Sequence, residues 1–383
     1  MKIAFGAQLL LDNNKTGIGW CAHNIVEQLK AKYPENEYIM NFFVFGNKKY
    51  LKYKDMIEQY SAKGYSIEIC RWFHYALYKL LWSFIPIPYH FFMKNDVDVT
   101  LFFNFYIPPG VKGKKVTIIH DMAYLAYPET VNKKTLYMLK MNMKKSCKRA
   151  DKILVVSDFT KRELMKYLGV EKSKIQVMYN GVDTEIFQIY DKGEVEKIKE
   201  KYKIPKEYFL YLGTLEPRKN IARMLDAYAM LKKEQPNAPK FVLAGRKGWM
   251  YDEIFEKVKT YGLEEDVIFT GYIEQEDAPL LMNGAKAFLF VSLYEGFGMP
   301  VLEAMACGTP VITADAASMP EVIGDCGLLA DPMSAESIKE CMAKIVNDEV
   351  DIEDMTKRAL KRCEDFTWEK AAKVVREVME SVV

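Results

Sequence analysis

This 383-residue sequence predicts two α/β domains, each a parallel sheet covered by helices. Three observations carry that expectation. Short apolar runs alternate with amphipathic helical stretches along the chain, the pattern of parallel strands joined by helices. The scheme occurs twice, on either side of the charged stretch Tyr190-Asp191-Lys192-Gly193-Glu194. The length also exceeds what one ordinary α/β core needs.

In the first half the strand candidates are 2–5, 38–45, 66–70, 99–103, 116–119, 153–156 and 175–178, with helical patterns such as 23–32 and 160–168 between them. The second half repeats the order with strands at 209–212, 241–244, 267–269, 287–291, 311–313 and 327–329, and helices that include 221–231 and 301–306. The turn Asn180-Gly181-Val182-Asp183 leads into the charged stretch, which places the domains at 1–187 and 188–365. A last helix, about 366–383, is expected to pack back on the first domain. Two Rossmann-like domains facing each other would leave a cleft at the carboxyl ends of their strands, where open α/β sheets bind ligands.

Composition narrows the functional class. Hydrophobic residues at 50% and charged residues at 28% describe a soluble globular protein. The net charge of +2 hides an asymmetry: residues 1–190 carry 28 Lys+Arg against 17 Asp+Glu, a net of +11, and residues 191–383 carry 26 against 35, a net of −9. Opposite signs point to different partners for the two domains. The seven cysteines (Cys21, Cys70, Cys147, Cys307, Cys326, Cys341, Cys363) form no C-x-x-C pair and read as reduced structural thiols. No signal peptide opens the chain, and the apolar stretch near 75–93 is broken by Lys79, Pro86, Pro88 and His90, against a membrane span. The expected location is cytoplasmic.

The most informative segment is Glu295-Gly296-Phe297-Gly298-Met299-Pro300-Val301-Leu302-Glu303-Ala304-Met305-Ala306-Cys307-Gly308-Thr309-Pro310. It follows a strand, turns through two glycines and starts a helix with Pro300 at the first position, where a missing N–H costs nothing. Backbone N–H groups at such a start sit at the positive end of the helix dipole and suit a diphosphate. Carboxylates accept hydrogen bonds from hydroxyls and do not usefully contact phosphate. Glu295 is therefore assigned to donor-sugar hydroxyls and Glu303 to a ribose diol. A capped surface helix is the competing reading.

A second segment, Gly213-Thr214-Leu215-Glu216-Pro217-Arg218-Lys219-Asn220, puts a basic pair after a strand and before a helix. Arginine grips phosphate bidentately and lysine acts as a point charge, so the pair can neutralise a diphosphate. Replacing either is expected to impair turnover far more than folding. Thr16-Gly17-Ile18-Gly19 follows the first strand and is weak by itself. His120-Asp121 stands at a strand's carboxyl end, which favours a site residue over a packed one.

The Glu-x7-Glu arrangement within E-G-F-G-x-P-x-x-E-A-x-A-x-G-x-P resembles the signature of retaining GT-B glycosyltransferases of family 4, and further matches run through nearly the whole chain. His120-Asp121 with Pro128-Glu129 is similar to the mannosyl- and rhamnosyltransferase-like subgroup. The resemblance implies His120, Arg218, Lys219 and Glu295 as catalytic residues. It implies donor binding by Gly17, Gly19, Gly213, Ile273, Phe297, Gly298, Met299, Val301, Leu302 and Glu303 together with Arg218, Lys219 and Glu295. Gly271-Tyr272-Ile273 would meet the nucleobase through backbone groups. No metal and no cofactor are expected beyond the nucleotide-sugar substrate. GDP-mannose is the first expectation for donor, a UDP- or dTDP-sugar the next. The acceptor would be a glycan or a polyprenyl-linked glycan in cell-surface polysaccharide synthesis, with no nucleic-acid partner. Asp96-Val97-Asp98 looks like the metal motif of the other major glycosyltransferase fold, but it reads as a turn leading into a strand.

Other classes are weighed against this. A sugar-nucleotide epimerase of similar fold would isomerise its donor without an acceptor. A dinucleotide-dependent dehydrogenase would want a third glycine where Ala22 stands. A nucleotide-sugar sensor would keep Glu303 without needing His120, Arg218 and Lys219 together. Finally, ten Lys/Arg between Lys112 and Arg149 face only Asp121 and Glu129, and nine Trp, Tyr and Phe residues crowd positions 72–92 beside Arg71, Lys79 and Lys94. That mixture suits a peripheral contact with an anionic membrane. The alternative is that the aromatics form core and the lysines solvate a helix.

Overall fold

The computed structural model describes residues 1–12 and 15–383, and the chain divides into two units: Met1–Gly181 with Trp368–Val383, and Val182–Thr367. The first boundary falls at Gly181 rather than after residue 187 because Val182 already pairs within the second unit. Its N–H donates to Phe366 O at 3.0 Å, and it forms a bridge with Thr367. The chain thus leaves and re-enters the first unit through neighbouring residues, and the second boundary follows at Thr367.

The first unit holds seven parallel strands: β1 (Lys2–Gly6), β2 (Glu37–Phe43), β3 (Ser66–Cys70), β4 (Val99–Phe102), β5 (Lys114–Ile119), β6 (Lys152–Val155) and β7 (Ile175–Val177), in the order β3-β2-β1-β4-β5-β6-β7. β1 sits centrally, with Ile3 opposite Tyr38 on one side and Val99 on the other. Helices cover both faces, so β4 and most of β2 are buried at every position rather than alternating. The helix Gly17–Lys32 buries Cys21, Ala22, Ile25, Val26 and Leu29, a stripe at helical spacing. The last helix, Trp368–Glu380, packs against it, with Lys32 Nζ 2.9 Å from Glu369 Oε1 and the Arg376 guanidinium 4.1 Å over the Tyr33 ring.

The second unit holds six parallel strands: β8 (Tyr208–Leu212), β9 (Lys240–Ala244), β10 (Val267–Gly271), β11 (Ala287–Phe290), β12 (Val311–Ala314) and β13 (Leu328–Ala330), in the order β10-β9-β8-β11-β12-β13. Both sheets therefore reverse direction of growth once, between β1 and β4 in the first and between β8 and β11 in the second. Ligands of such sheets bind outside the carboxyl ends of the strands at that reversal. All seven cysteines are buried and unpaired. No helix among the described residues is long and apolar enough to cross a membrane.

Candidate functional site

The reversal point of the second sheet gathers most of the residues singled out in the sequence. β8 ends at Leu212, and the chain passes from Gly213 through a short turn, Pro217–Lys219, into the helix Ile221–Glu234. β11 ends in a loop that reaches the helix Met299–Ala306. Backbone bonds tie the two loops together. Leu293 N donates to Arg218 O at 2.9 Å, and Arg218 Nη1 donates to Tyr294 O at 2.7 Å. Asn220, held at φ 61°, donates its side-chain amide to Val291 O at 3.1 Å and Pro332 O at 2.8 Å. Ser318 Oγ closes the far side by donating to Glu295 O at 2.9 Å.

Within this frame Glu295 Oε1 lies 2.6 Å from Lys219 Nζ and 2.9 Å from Arg218 Nη1, while Arg218 Nη2 lies 2.7 Å from Glu216 Oε1. Burial alone would raise the Glu295 carboxyl, but the adjacent guanidinium and ammonium outweigh it and bring it down to about 2. Burial lowers the Lys219 ammonium, with Glu295 acting against that shift. Two cations face two buried carboxylates, so the cluster offers oriented N–H donors rather than net positive charge. Glu216 was not singled out in the sequence. Its signal was there: a carboxylate two residues before an arginine on one turn.

The helix Met299–Ala306 starts as expected after a left-handed glycine, Gly298 at φ 93°, where a Cβ would meet Met319 Cε at 2.3 Å. Met299, not Pro300, is its first residue. The Val301 side chain is fully buried and its N–H donates to Gly298 O at 3.0 Å. Leu302 is equally buried, so only its backbone can serve, and Phe297 is 4% exposed with its ring 5.7 Å from Phe366. Glu303 is half-buried, near enough to the Cys307 thiol to help raise it, and burial pushes its own carboxyl up to about 7.

Three adjacent strands, β8, β9 and β10, run out at Gly213, Gly245 and Gly271. Gly213 N donates to Ala244 O at 2.9 Å and Gly245 N to Gly271 O at 2.8 Å. A Cβ on Gly245 would lie 1.9 Å from Gly213 O, so the strand ends touch backbone to backbone. Beyond them Tyr272 is 46% exposed under the Arg246 guanidinium at 4.1 Å, whereas Ile273 turns inward at 7% exposure.

In the first unit, His120 follows β5 and is buried. Its Nε2 donates to Phe103 O at 2.7 Å, which leaves Nδ1 as the acceptor nitrogen, and burial lowers its pKa. Gly17 and Gly19 open the helix Gly17–Lys32, with Thr16 as its N-cap; a Cβ on Gly19 would crowd Lys15 Cβ at 3.1 Å. Asp96 and Asp98 are taken up structurally: Lys112 Nζ is 2.6 Å from Asp96 Oδ1, and Lys2 N donates to Asp98 Oδ2 at 2.7 Å.

Comparisons with known proteins identify the family and the fold. The family model described as Glycosyl transferases group 1 matches residues 194–362, and that described as Glycosyltransferase Family 4 matches residues 16–186. The chain is similar to the O-antigen chain mannosyltransferase B of Escherichia coli, 34% identical over 267 residues covering 70% of each chain. It is 32% identical over 270 residues to the serotype-specific mannosyltransferase WbdA of Escherichia coli, covering 69% of this chain but 33% of that one. Among solved structures, Anabaena HepE in complex with UDP and glucose matches with a TM-score of 0.74 over 100% of both chains at 18% identity, a likeness of fold.

Proposed function

The chain belongs to the glycosyl transferases of group 1 and family 4, and from that premise we propose that it moves mannose from GDP-mannose, with retained configuration, to a glycan or polyprenyl-linked glycan in cell-surface polysaccharide synthesis. The observation that carries this reading is the convergence of Arg218, Lys219 and Glu295 with the start of the helix Met299–Ala306 at the reversal of one sheet. The bond from the sugar's anomeric carbon to the diphosphate breaks while the bond to the acceptor oxygen forms on the same face. The acceptor's proton passes to the departing diphosphate. Arg218, Lys219 and the helix start donate N–H groups to the charge that grows on that leaving oxygen, a role for which no metal is needed. Glu303 accepts from the ribose diol and Glu295 from the donor sugar. The mannosyltransferase relatives support the choice of sugar.

A thermal-shift series with GDP, UDP and dTDP tests the donor. A ligand at 100 times its Kd adds about 2.7 kcal/mol of stability. GDP is expected to give the largest shift and chelator to leave the transfer rate unchanged. A larger UDP or dTDP shift would overturn the base, and isomerisation of the donor without acceptor would favour an epimerase. The anomeric configuration of the product, read by NMR, decides retention.

The acceptor is met at an anionic membrane surface in this reading. Leu77, Leu80, Phe84 and Ile85 are 45–61% exposed on and just after the helix Tyr75–Leu81. The helix Lys133–Arg149 lies beside them, with Asn142 and Lys145 bonded to Ser83 at 2.8 and 2.9 Å, and it exposes Lys133, Lys134, Lys140, Lys144, Lys145 and Lys148. Part of the expected aromatic surface is core instead: Tyr78, Trp82, Tyr89 and Phe92 are buried, with Tyr78 4.6 Å from Phe92. Co-sedimentation with anionic vesicles that weakens at high salt is expected. Binding indifferent to lipid charge, or none, would point to a soluble acceptor.

A further inference from the structure

The reversal point of the first sheet also holds a site, of a different kind. A cavity of about 30 Å³ opens where β1, β2 and β4 run out, lined by Gly6 and Phe102 at the ends of β1 and β4 and by Asn41, opposite Gly6 and two residues before the end of β2. A water needs about 10–15 Å³ of such space, so the cavity has room for roughly two water-sized groups and none for a sugar ring. A Cβ on Gly6 would lie 2.8 Å from the Phe102 ring, so the bare glycine is what lets that ring form a wall. Phe43 and Tyr89 supply further aromatic walls, 6.1 Å apart between centroids.

Two amides sit among these rings. Asn41 is 5% exposed and its side chain lies against the Tyr89 hydroxyl, while its Oδ1 is buried without a hydrogen-bond partner. Gln8 is fixed through its Oε1, which accepts from Phe43 N at 2.9 Å, and this leaves its amide N–H2 to donate. A buried acceptor without a donor is unfavourable and calls for an explanation. One acceptor and one donor are what a single hydroxyl needs, and aromatic walls suit the C–H bonds that carry it.

We propose that this cavity takes the hydroxymethyl arm of a neutral acceptor sugar, with Asn41 Oδ1 accepting from its hydroxyl and the Gln8 amide donating to it. The inference rests on the glycosyl-transfer reading of the chain and names the acceptor class that reading leaves open. It makes Asn41 and Gln8 specificity-determining residues that distinguish a hexose from a 6-deoxyhexose. A site built to bond a hydroxyl discriminates strongly against the analogue that lacks it.

The experiment compares octyl α-D-mannoside with octyl 6-deoxy-α-D-mannoside as acceptors for the full chain. Wild type is expected to prefer the first by at least tenfold in kcat/KM. Asn41→Leu and Asn41→Ala are each expected to bring that ratio close to one. Asn41→Leu should also hold or raise Tm, because it removes an unpaired buried acceptor at similar volume. A wild type that uses both acceptors equally, or neither, overturns the proposal. So does either variant keeping the wild-type ratio, which would mean a cavity that holds water only. Nucleotide binding, measured separately by thermal shift, reports whether the glycosyl-transfer reading itself has failed.

Discussion

The two sheets reverse their strand order at equivalent places, yet the side chains gathered there differ in kind. At the β8/β11 reversal, Glu216, Arg218, Lys219 and Glu295 bond one another at 2.6–2.9 Å. At the β1/β4 reversal the walls are aromatic, and the polar groups are neutral: the Asn41 and Gln8 amides and the hydroxyls of the lining tyrosines Tyr75, Tyr89 and Tyr106. Topology fixes where a ligand can lie, and the side chains fix what it can be. Oriented charge suits a leaving diphosphate, while aromatic faces and neutral amides suit a sugar that carries no charge.

The comparison breaks most readily at the charged end. Arg218→Ala and Lys219→Ala are each expected to lower kcat by about 10²–10³, the loss found when one donor to a developing oxyanion is removed. The structure also revises the expectation that folding would be spared. Either change leaves Glu295 or Glu216 buried with fewer partners, and breaking a buried pair costs about 3–5 kcal/mol. Stopped assays with parallel melting curves check both halves. Wild-type kcat in both variants would remove the catalytic assignment.

Next in size are the two acids of the Glu-x7-Glu motif, whose environments push them in opposite directions. Glu295 is held down at about 2 by its cations. Its stabilisation is therefore fully present above its ordinary value near 4.5 and lost as pH falls toward 2. Glu295→Gln should destabilise the protein throughout the neutral range and harm recognition of the donor sugar. Glu303 is raised to about 7 by burial, so its cost to folding is absent below about 4.5 and grows until about 7. Glu303→Gln should therefore raise stability at pH 8 by about 1–3 kcal/mol and leave it unchanged at pH 4.5. Equal shifts at both pH values would show that Glu303 does not titrate as its surroundings dictate.

A smaller effect sharpens the same contrast. The charged carboxylate is the better acceptor for a ribose diol, so nucleoside diphosphate affinity should rise about tenfold as pH climbs through 7. Calorimetry on Glu303→Gln should give weaker binding with no such slope. Tight binding by the variant would reassign the diol.

Much of this was legible in the sequence because it lies in local patterns. The thirteen strands fall within a few residues of the apolar runs, and Arg218, Lys219 and Glu295 stand out by their places in the segments that link a strand to a helix. What escaped was long-range. Lys219 and Glu295 are 76 residues apart, and no local pattern says that they bond. The aromatics between 72 and 92 divide between core and surface, because Tyr78 and Phe92 find each other while Trp72, Phe84 and Phe91 stay exposed. Asn41 carried no signal at all: a lone polar residue in an apolar strand acquires meaning only from the cavity beside it.

The return of the helix Trp368–Glu380 to the first unit has a consequence for synthesis on the ribosome. Its apolar face, with Ala371, Ala372 and Val375, covers the helix Gly17–Lys32, yet residues 182–367 of the other unit must be translated in between. At about 5–20 residues per second that interval lasts roughly 10–40 s, during which the first unit has its sheet but lacks its closing helix. Nascent chains are thus obliged to shelter an unfinished apolar face while the second unit folds. Chaperone demand in the cell should follow the speed of elongation through the middle of the message.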